Sequence, residues 1–386
     1  MKILFLAEES PKRSDQGDRV RFSNFVRELS LNHDITLIHF GNSPSENEKY
    51  IAVQRPSLLG KYLRALFHIH LPFSVTARNT GRMRKILNCI VKEAEYDLFF
   101  IYQTKMGSYS SVFSGPTVVD LTDAISLYYS RMVKFCRWPL RLLYRFEQFK
   151  MLRFERKLLK SSATCLVASE ADARYLRAIA PGCKLIVIPN GVDLFYHTPS
   201  EVNDGSFDLV FVGNMAYPPN RDAVHYFYRQ VFPAVLNDCP ASRLVVVGKN
   251  PSPDILALQK DKAVVVTGYV TDVRPYLSKA AVVICPVRFG TGTRIKILEA
   301  MAAGRAVVST SIGCEGLDVV SGKDILITDD TYEMAAVILN LLKDREKAHR
   351  IGLNAAETVK RIYGYEVIGH QLENVLIQSC LEKRSN

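Results

Sequence analysis

Several common signals are missing from this chain of 386 residues. Its eight cysteines are scattered without a Cys-x-x-Cys pair, which argues against a disulfide framework or a zinc site and favours reduced thiols in a cytosolic protein. The opening apolar segment "KILFLA" has six residues before Glu8 and Glu9, too few for a signal peptide or a membrane span. The composition also argues against an intrinsically disordered chain, because 48% of the residues are hydrophobic and 23% are charged, as in globular proteins.

Acidic residues are too few in the first half of the chain to balance its basic residues. Residues 1–195 contain 29 Lys and Arg against 18 Asp and Glu, whereas residues 196–386 contain 21 of each. Because each Lys or Arg near an anionic membrane contributes about 1 kcal/mol, the first half is predicted to meet a polyanion or a lipid face. A nucleic-acid partner is not expected, since the basic residues interleave with large aliphatic side chains and no RNA-binding motif is present.

Much of this charge lies in residues 131–160, "RMVKFCRWPLRLLYRFEQFKMLRFERKLLK", with ten basic and two acidic residues. A helix broken near Pro139 would place basic flanks beside an apolar stripe, as in helices that lie in a membrane interface. A core-packing helix with a solvated basic face explains the pattern equally well. Residues 58–73, "LLGKYLRALFHIHLPF", are a weaker version of the same pattern.

Short β-branched runs alternate with helical stretches along the whole chain, a pattern that predicts β-α-β units and parallel sheets. The runs are "KILFL", "ITLIHF", "LFFIY", "TVVDL", "CLVAS" and "LIVIP" before residue 190, and "DLVFVG", "RLVVVG", "AVVVTG", "AVVICP", "AVVST" and "ILIT" after residue 207. We predict two doubly wound α/β domains, residues 1–195 and 206–362, with a last helix in 363–386 that packs back on the first domain. Ligands of such sheets bind at the carboxyl ends of the strands, which predicts a site in a cleft between the domains.

Residues 289–304, "FGTGTRIKILEAMAAG", follow one of these strands and contain the main candidate site. Gly290 and Gly292 permit tight turns, and Thr293 is a candidate N-cap for a helix that begins at Arg294. The spacing fits neither a P-loop nor a dinucleotide fingerprint. Lys296 and Glu299 lie one turn apart, an arrangement that suits a ligand with phosphate at one end and a diol at the other, as in a nucleotide. A capped helix with an intrahelical ion pair is the structural alternative.

The longer segment "GTGTRIKILEAMAAGRAVVSTSIGCEGL" (290–317) resembles the donor-binding motif of retaining glycosyltransferases of family 4, which have the GT-B fold. "IPNGVD" (188–193) resembles their interdomain signature, and "GDRVR" (17–21) resembles a loop of the bacterial exopolysaccharide sugar transferases. The resemblance implies two Rossmann-like domains that face each other across a cleft. It also implies metal-independent transfer of a sugar, with retention, from a nucleotide-diphosphate sugar.

The resemblance assigns Glu299 to the ribose hydroxyls, and Gly17 and Gly213 to the donor diphosphate. Backbone near Gly268 to Val270 would read the base. The full donor-binding set is Gly17, Gly213, Asn214, Tyr269, Val270, Thr291, Gly292, Thr293, Arg294, Lys296 and Glu299. The acceptor-side candidates are Asp18, Arg19, Asp120 and Asp123, of which the last two could instead cap the following helix.

Two departures from the family pattern concern the phosphates and the sugar. Thr291 stands where relatives have a Glu that contacts the transferred sugar, and Asn214 stands where they often have an Arg. We therefore assign the catalytic role to Arg294 and Lys296, which would compensate the diphosphate from the helix start. No metal ligand is expected, because no Asp-x-Asp lies in a suitable context.

The implied substrates are a UDP- or GDP-sugar as donor and a saccharide or polyprenyl-diphosphate-linked saccharide as acceptor, without a separate cofactor. The expected location is the cytoplasm, with peripheral binding to the inner face of the cell membrane. Two other functions stay open at this point. A sugar-nucleotide epimerase of the same fold would share the nucleotide end, and a catalytically silent membrane scaffold would explain the two departures.

Overall fold

The structure, a computed structural model, describes residues 1–11, 17–41, 49–57, 60, 64, 68–161, 163–195 and 208–384. It contains two compact units, Met1–Pro189 together with Ile368–Asn386, and Asn190–Val367. The division falls inside the segment "IPNGVD". Each unit is built around one parallel sheet, as the alternation of strands and helices predicts.

The sheet of the first unit has seven parallel strands in the order β3-β2-β1-β4-β5-β6-β7. The strands are β1 Lys2–Ala7, β2 Asp34–Phe40, β3 Tyr50–Val53, β4 Leu98–Tyr102, β5 Thr117–Asp120, β6 Thr164–Val167 and β7 Leu185–Val187. Successive side chains of β1 enter two different cores, with Leu4 and Leu6 in one and Ile3 and Phe5 in the other. Both faces of the sheet are therefore covered, which explains why its strands read as continuous apolar runs.

The helices of the first unit supply these two cores. They are α1 Gly17–Ser30, α2 Phe73–Thr76, α3 Gly81–Glu93, α4 Ile125–Phe135, α5 Leu140–Leu159 and α6 Glu170–Ile179, with a 3-10 helix at Thr104–Val112. Phe25 and Leu29 of α1 lie in one core, whereas Leu87 of α3 and Leu158 of α5 lie in the other. Within the described residues, no helix has the length and apolarity that crossing a membrane requires.

The sheet of the second unit has six parallel strands in the order β10-β9-β8-β11-β12-β13. The strands are β8 Asp208–Val212, β9 Arg243–Val247, β10 Val264–Gly268, β11 Ala280–Cys285, β12 Val307–Ser309 and β13 Leu326–Ile327. The α-helices are α7 Pro218–Tyr226, α8 Phe232–Asp238, α9 Pro253–Leu256, α10 Arg274–Lys279, α11 Ile295–Ala302, α12 Thr331–Lys343 and α13 Arg345–Tyr363. Because the strands are parallel and adjacent, the loops after β8, β9, β10 and β11 meet at one edge of the sheet.

The last helix, α14 Tyr365–Arg384, continues from the second unit into the first. Its residues Ile368, Leu372 and Leu376 are buried in the same core as β1 and α1. The hydroxyls of Ser379 and Thr164 are 3.0 Å apart and form a buried hydrogen bond between α14 and β6. These contacts make most of α14 an element of the first unit.

A close contact between glycines fixes α11 against α13. Gly304 follows α11 with φ +70°, and the amides of Gly304 and Arg305 donate to the carbonyls of Met301 and Ala300, so α11 ends in a Schellman motif. Gly352 in α13 packs on this ending so closely that a Cβ there would lie 2.0 Å from the Gly304 carbonyl oxygen. The absence of a side chain at Gly352 therefore sets the distance between the two helices.

Replacing Gly352 with alanine is expected to destabilise the second unit by about 3 kcal/mol, because the added methyl group overlaps backbone that cannot rotate away. Gly81, at the start of α3, is the matched control, since a Cβ there meets nothing within 4 Å. Gly81→Ala should be neutral or stabilise by up to about 1 kcal/mol. Chemical denaturation of both variants measures the difference. Equal stability of the two variants would contradict the close contact.

Candidate functional site

Two glycines with positive φ shape the loop between β11 and α11. Gly290 has φ +125° and Gly292 has φ +75°, values that other residues rarely adopt. A Cβ at Gly290 would lie 2.7 Å from Nη2 of Arg294. Backbone conformation therefore requires glycine at both positions, and a side chain at position 290 would also displace the Arg294 guanidinium group.

The N-cap of α11 differs from the prediction. The helix begins at Ile295, and Arg294 occupies the N-cap position without a side-chain cap. Thr293 was predicted to cap this helix, but its hydroxyl is buried and makes no hydrogen bond within the described part of the chain. The prediction of an N-cap at Thr293 is wrong, because the loop turns one residue later than the sequence pattern indicates.

Arg294 closes the loop with one part of its guanidinium group. Its Nη1 donates to the carbonyl oxygens of Thr291 and Gly292, the latter at 2.9 Å. The residue is only 8% exposed, and its Nε and Nη2 have no hydrogen-bond partner in the regions described. Since a buried guanidinium group ordinarily satisfies its donors, these two nitrogens are suited to an anionic ligand.

Lys296 lies on the first turn of α11 beside the end of β8. Its Nζ donates to Oδ1 of Asn220 at 2.7 Å and lies 4.1 Å from the ring centroid of Phe211. A Cβ at Gly213 would come within 2.8 Å of the same Nζ. Burial lowers the pKa of the Lys296 ammonium group from 10.5 to about 8. Lys296 is thus a partly desolvated cation in a space that Gly213 leaves open.

Glu299 follows Lys296 by one helical turn and is also partly desolvated. Burial raises the pKa of its carboxyl group from 4.5 to about 7, and the nearby positive charge of Lys296 opposes this rise. The two opposite pKa changes have the same origin, because both charged groups lie at a partly dehydrated edge of the sheet. Two such titratable groups one turn apart are typical of ligand-binding sites.

The loops after β8 and β10 contribute the other predicted donor residues of this unit. Asn214 follows Gly213, and its carbonyl oxygen accepts from Nδ2 of Asn220 at 2.9 Å. Tyr269 and Val270 follow β10 directly, and the Tyr269 side chain is 62% exposed. The structure therefore places the predicted residues of the second unit after β8, β10 and β11, at the carboxyl edge of one sheet.

The acceptor-side candidates lie in the first unit. Asp18 and Arg19 are in the first turn of α1, which begins at Gly17, and their side chains lie outside the described residues. Asp123 lies between β5 and α4. The N-cap position of α4 is Ala124, and its first amide groups donate to the carboxylate of Glu155. The functional role of these candidates stays a prediction.

Asp120 ends β5 as a fully buried carboxylate. Its Oδ2 accepts from Nε of Arg21 at 2.8 Å, and its Oδ1 accepts from the amide of Thr122 at 2.9 Å. Arg21 also donates to the carbonyl oxygen of Pro189 at 2.8 Å. The buried ion pair and these additional hydrogen bonds join α1 to β5 and to Pro189, where the chain leaves the first unit.

Sequence reasoning missed two residues that organise these sites. Asn220 binds both Lys296 and the Asn214 carbonyl, although the sequence shows it only as part of "AYPPN". Arg21, the last residue of "GDRVR", binds Asp120, which lies 99 positions further along the chain. Neither the pairing of Asn220 with Lys296 nor that of Arg21 with Asp120 has a local signal, because the partners are 76 and 99 positions apart in the sequence. Across the described residues, no three His, Cys, Asp or Glu side chains form a group that could hold a metal ion.

The sequence of the second unit matches a known family. Residues 206–344 match the family model described as Glycosyl transferases group 1. This segment includes every predicted donor-binding residue except Gly17. The match lies entirely within the second unit.

Similar proteins cover nearly the whole chain. An "Uncharacterized 44.6 kDa protein in cps region" of Klebsiella pneumoniae is 21% identical over 94% of this chain and 96% of its own length. Sucrose-phosphate synthase from Thermosynechococcus elongatus has a TM-score of 0.76 at 16% identity, with 98% of each chain covered. HepE of Anabaena in complex with UDP-glucose has a TM-score of 0.70 at 17% identity, covering 98% of this chain and 100% of its own. The fold is thus α/β with two Rossmann-like units, as in GT-B structures.

Binding of a nucleoside diphosphate at this edge is expected to weaken above about pH 8, where Lys296 loses its proton. The positive charge is present below that pH and lost above it, so affinity should be about tenfold lower at about pH 9 than at about pH 7. Titration calorimetry at both pH values measures the change. In Lys296→Arg the decrease should disappear, because a guanidinium group stays charged throughout this range. An equal decrease in this variant would assign the titration to another group.

Proposed function

We propose that the chain is a family 4 glycosyltransferase that transfers a hexosyl group from a nucleotide-diphosphate sugar to a saccharide or a polyprenyl-diphosphate-linked saccharide, with retention and without a metal ion. The observation that carries this proposal is the placement of Lys296 and Glu299 on one turn of α11, with Gly213 leaving space beside the Lys296 ammonium group. The match to the group 1 family model over the same residues supports it. So does the fold shared with HepE, which binds UDP-glucose.

The main chemical requirement of this reaction is to stabilise the negative charge that develops on the leaving phosphate. As the bond from the anomeric carbon to the phosphate oxygen breaks, negative charge develops on that oxygen. Lys296 and the unpartnered nitrogens of Arg294 would stabilise this charge together with the amides at the start of α11. Because Nη1 of Arg294 already binds the loop, the cation is held in place before the substrate arrives. Two fixed cations make a metal ion unnecessary in this mechanism.

The two ends of the donor would contact different parts of the same edge. Glu299 would accept hydrogen bonds from the ribose hydroxyls, and backbone near Tyr269 and Val270 would contact the base. The transferred sugar would contact Thr291, whose position in the buried loop is fixed by the bond from Arg294 to its carbonyl oxygen. A hydroxyl here replaces the carboxylate of the family pattern, so we expect a contact with the sugar that does not depend on charge.

The acceptor and the cellular location follow from the basic first unit. Its excess of Lys and Arg favours an anionic acceptor such as a polyprenyl diphosphate, with Asp18, Arg19 and Asp123 near the transferred hydroxyl. Asp120 would act through its ion pair with Arg21 by fixing the end of β5. The proposed location is the inner face of the cell membrane, where the protein would take part in the synthesis of a cell-surface polysaccharide.

Release of free nucleotide from a panel of UDP-, GDP- and dTDP-sugars, with acceptor-containing membranes added, tests the proposal. We expect one donor to be consumed only when acceptor is present, and NMR of the product should show the anomeric configuration of the donor. Inversion of that configuration would contradict retention. Appearance of an epimer from the donor alone would indicate the epimerase. Neither donor binding nor turnover with the panel would indicate the scaffold.

A further inference from the structure

The end of α4, the turn after it and α5 expose both apolar and basic side chains, and the exposed apolar ones lie in or before the first half of α5. The exposed apolar side chains are Phe135, Trp138, Leu140, Leu142, Leu143, Phe146 and Phe149. The exposed basic side chains of the segment are Lys134, Arg137, Arg141, Arg145, Arg153, Arg156, Lys157 and Lys160. We name these two sets together the basic–apolar surface. A group of large apolar side chains at one exposed place marks an interaction site.

The apolar side chains of this surface are arranged along the helix. Leu142, Phe146 and Phe149 recur at intervals of four and three residues, so they share one face of α5. Trp138 precedes the helix and is 76% exposed. An indole ring at the end of an apolar stripe is typical of segments that lie at the boundary between water and hydrocarbon.

The charged side chains of the same segment are uneven in exposure. Between residues 134 and 160, all the exposed charged side chains are basic. The two carboxylates are withdrawn, since Glu147 binds Lys150 and the amide of Phe73, and Glu155 is fully buried. The surface therefore presents positive charge that no exposed carboxylate of the same segment neutralises.

The second half of α5 attaches this surface to the first unit. Met151, Phe154 and Leu158 lie in the core. The Glu155 carboxylate accepts from the amide of Ile125 at 2.8 Å, which joins α5 to the start of α4. The first half of α5, which carries the exposed apolar side chains, is thus continuous with a second half that is packed in the core of the first unit.

We propose that the basic–apolar surface is a docking site for a bilayer that contains anionic phospholipid, with the apolar face of α5 between the headgroups and the Lys and Arg side chains on the phosphates. Charge complementarity favours this occupant, because each basic side chain gains from an anionic surface. A second copy of the chain is disfavoured, since it would bring two groups of eight basic side chains together. The proposal is independent of the reaction catalysed, because vesicle binding is measured without donor or acceptor.

Trp138 is the only tryptophan in the chain and reports directly on this surface. Vesicles of phosphatidylglycerol and phosphatidylcholine in a one-to-two ratio should shift its emission to shorter wavelength, and lipids brominated in the acyl chains should quench it. Vesicles of phosphatidylcholine alone should do neither. Emission that stays at its vesicle-free wavelength while the protein sediments with the anionic vesicles would overturn the proposal. So would a failure of the protein to sediment with them.

Substitutions at exposed positions test the charge requirement without disturbing the core. Arg137→Gln, Arg141→Gln and Arg145→Gln combined should weaken binding to the anionic vesicles roughly 100-fold, at about fivefold for each charge. The matched control combines Lys260→Gln, Lys279→Gln and Lys343→Gln, three exposed lysines of the second unit, and should bind as the unmodified protein does.

Thermal melting of both triple variants checks that they fold. Equal vesicle binding by the two triple variants would overturn the proposal. Light scattering that shows a dimer lost only in the arginine variant, with vesicle binding unchanged, would instead assign the surface to a second copy.

Discussion

Replacing Lys296 with alanine is expected to lower kcat/KM for sugar transfer by about 100- to 1,000-fold. Its ammonium group is the cation beside Gly213, and burial makes the interaction with a developing phosphate charge stronger than it would be in water. Most of the loss should appear in kcat, because the charge on the leaving oxygen is largest in the transition state. Steady-state kinetics with the donor found in the panel measures it.

Lys343→Ala is the matched control for this substitution, since Lys343 is an exposed lysine at the end of α12. It should leave kcat and KM unchanged. A loss of less than about twofold in Lys296→Ala would contradict the assignment of the phosphate cation, because losing a hydrogen bond to a charged group costs roughly 1.5–3 kcal/mol.

Replacing Glu299 with alanine is expected to weaken donor binding by about 10- to 100-fold, which corresponds to the loss of hydrogen bonds between a carboxylate and the ribose hydroxyls. Removing a half-buried carboxylate whose pKa is raised to about 7 should at the same time leave stability equal or higher at neutral pH. Donor affinity is therefore expected to fall while the free energy of unfolding stays equal or rises. A residue that only supported the fold would lower both.

Titration calorimetry with the donor and denaturation of the same variant measure these two effects. Glu346→Ala, an exposed carboxylate in the first turn of α13, is the control and should change neither quantity. Weaker donor binding accompanied by a comparable loss of stability would indicate that Glu299 supports the fold of the loop and does not contact the ribose.

The strands of both sheets were predictable because buried parallel strands are continuous apolar runs. Among the described residues, the strand missed in the sequence is β3, Tyr50–Val53. It has four residues, "YIAV", and follows the polar segment "GNSPSENEK". An edge strand needs less apolar sequence than a central strand, because fewer neighbours cover it.

The residues of the candidate site were predictable from motifs, whereas their contacts were not. The joint role of Arg294 and Lys296 on the diphosphate stays a prediction. The bonds from Arg294 to loop carbonyls and from Lys296 to Asn220 have no signal in the motif. Arg294 takes the N-cap position two residues after Gly292, whose φ is +75°, and sequence spacing specifies neither feature. The bond between Arg21 and Asp120 likewise arises only when α1 and β5 are packed on the same sheet.

Comparing nucleoside diphosphates with monophosphates tests whether Lys296 binds the diphosphate and Glu299 binds the ribose of the donor. Calorimetric titration of UDP, UMP, GDP and GMP into the protein, Lys296→Ala and Glu299→Ala separates the phosphate contact from the ribose contact. We predict that the unmodified protein binds one diphosphate at least about tenfold more tightly than its monophosphate, as one charge-assisted contact implies. Lys296→Ala should diminish this preference, with Arg294 retaining part of it, and Glu299→Ala should weaken both ligands equally. An undiminished preference in Lys296→Ala, or no binding of any of the four nucleotides, would contradict the account.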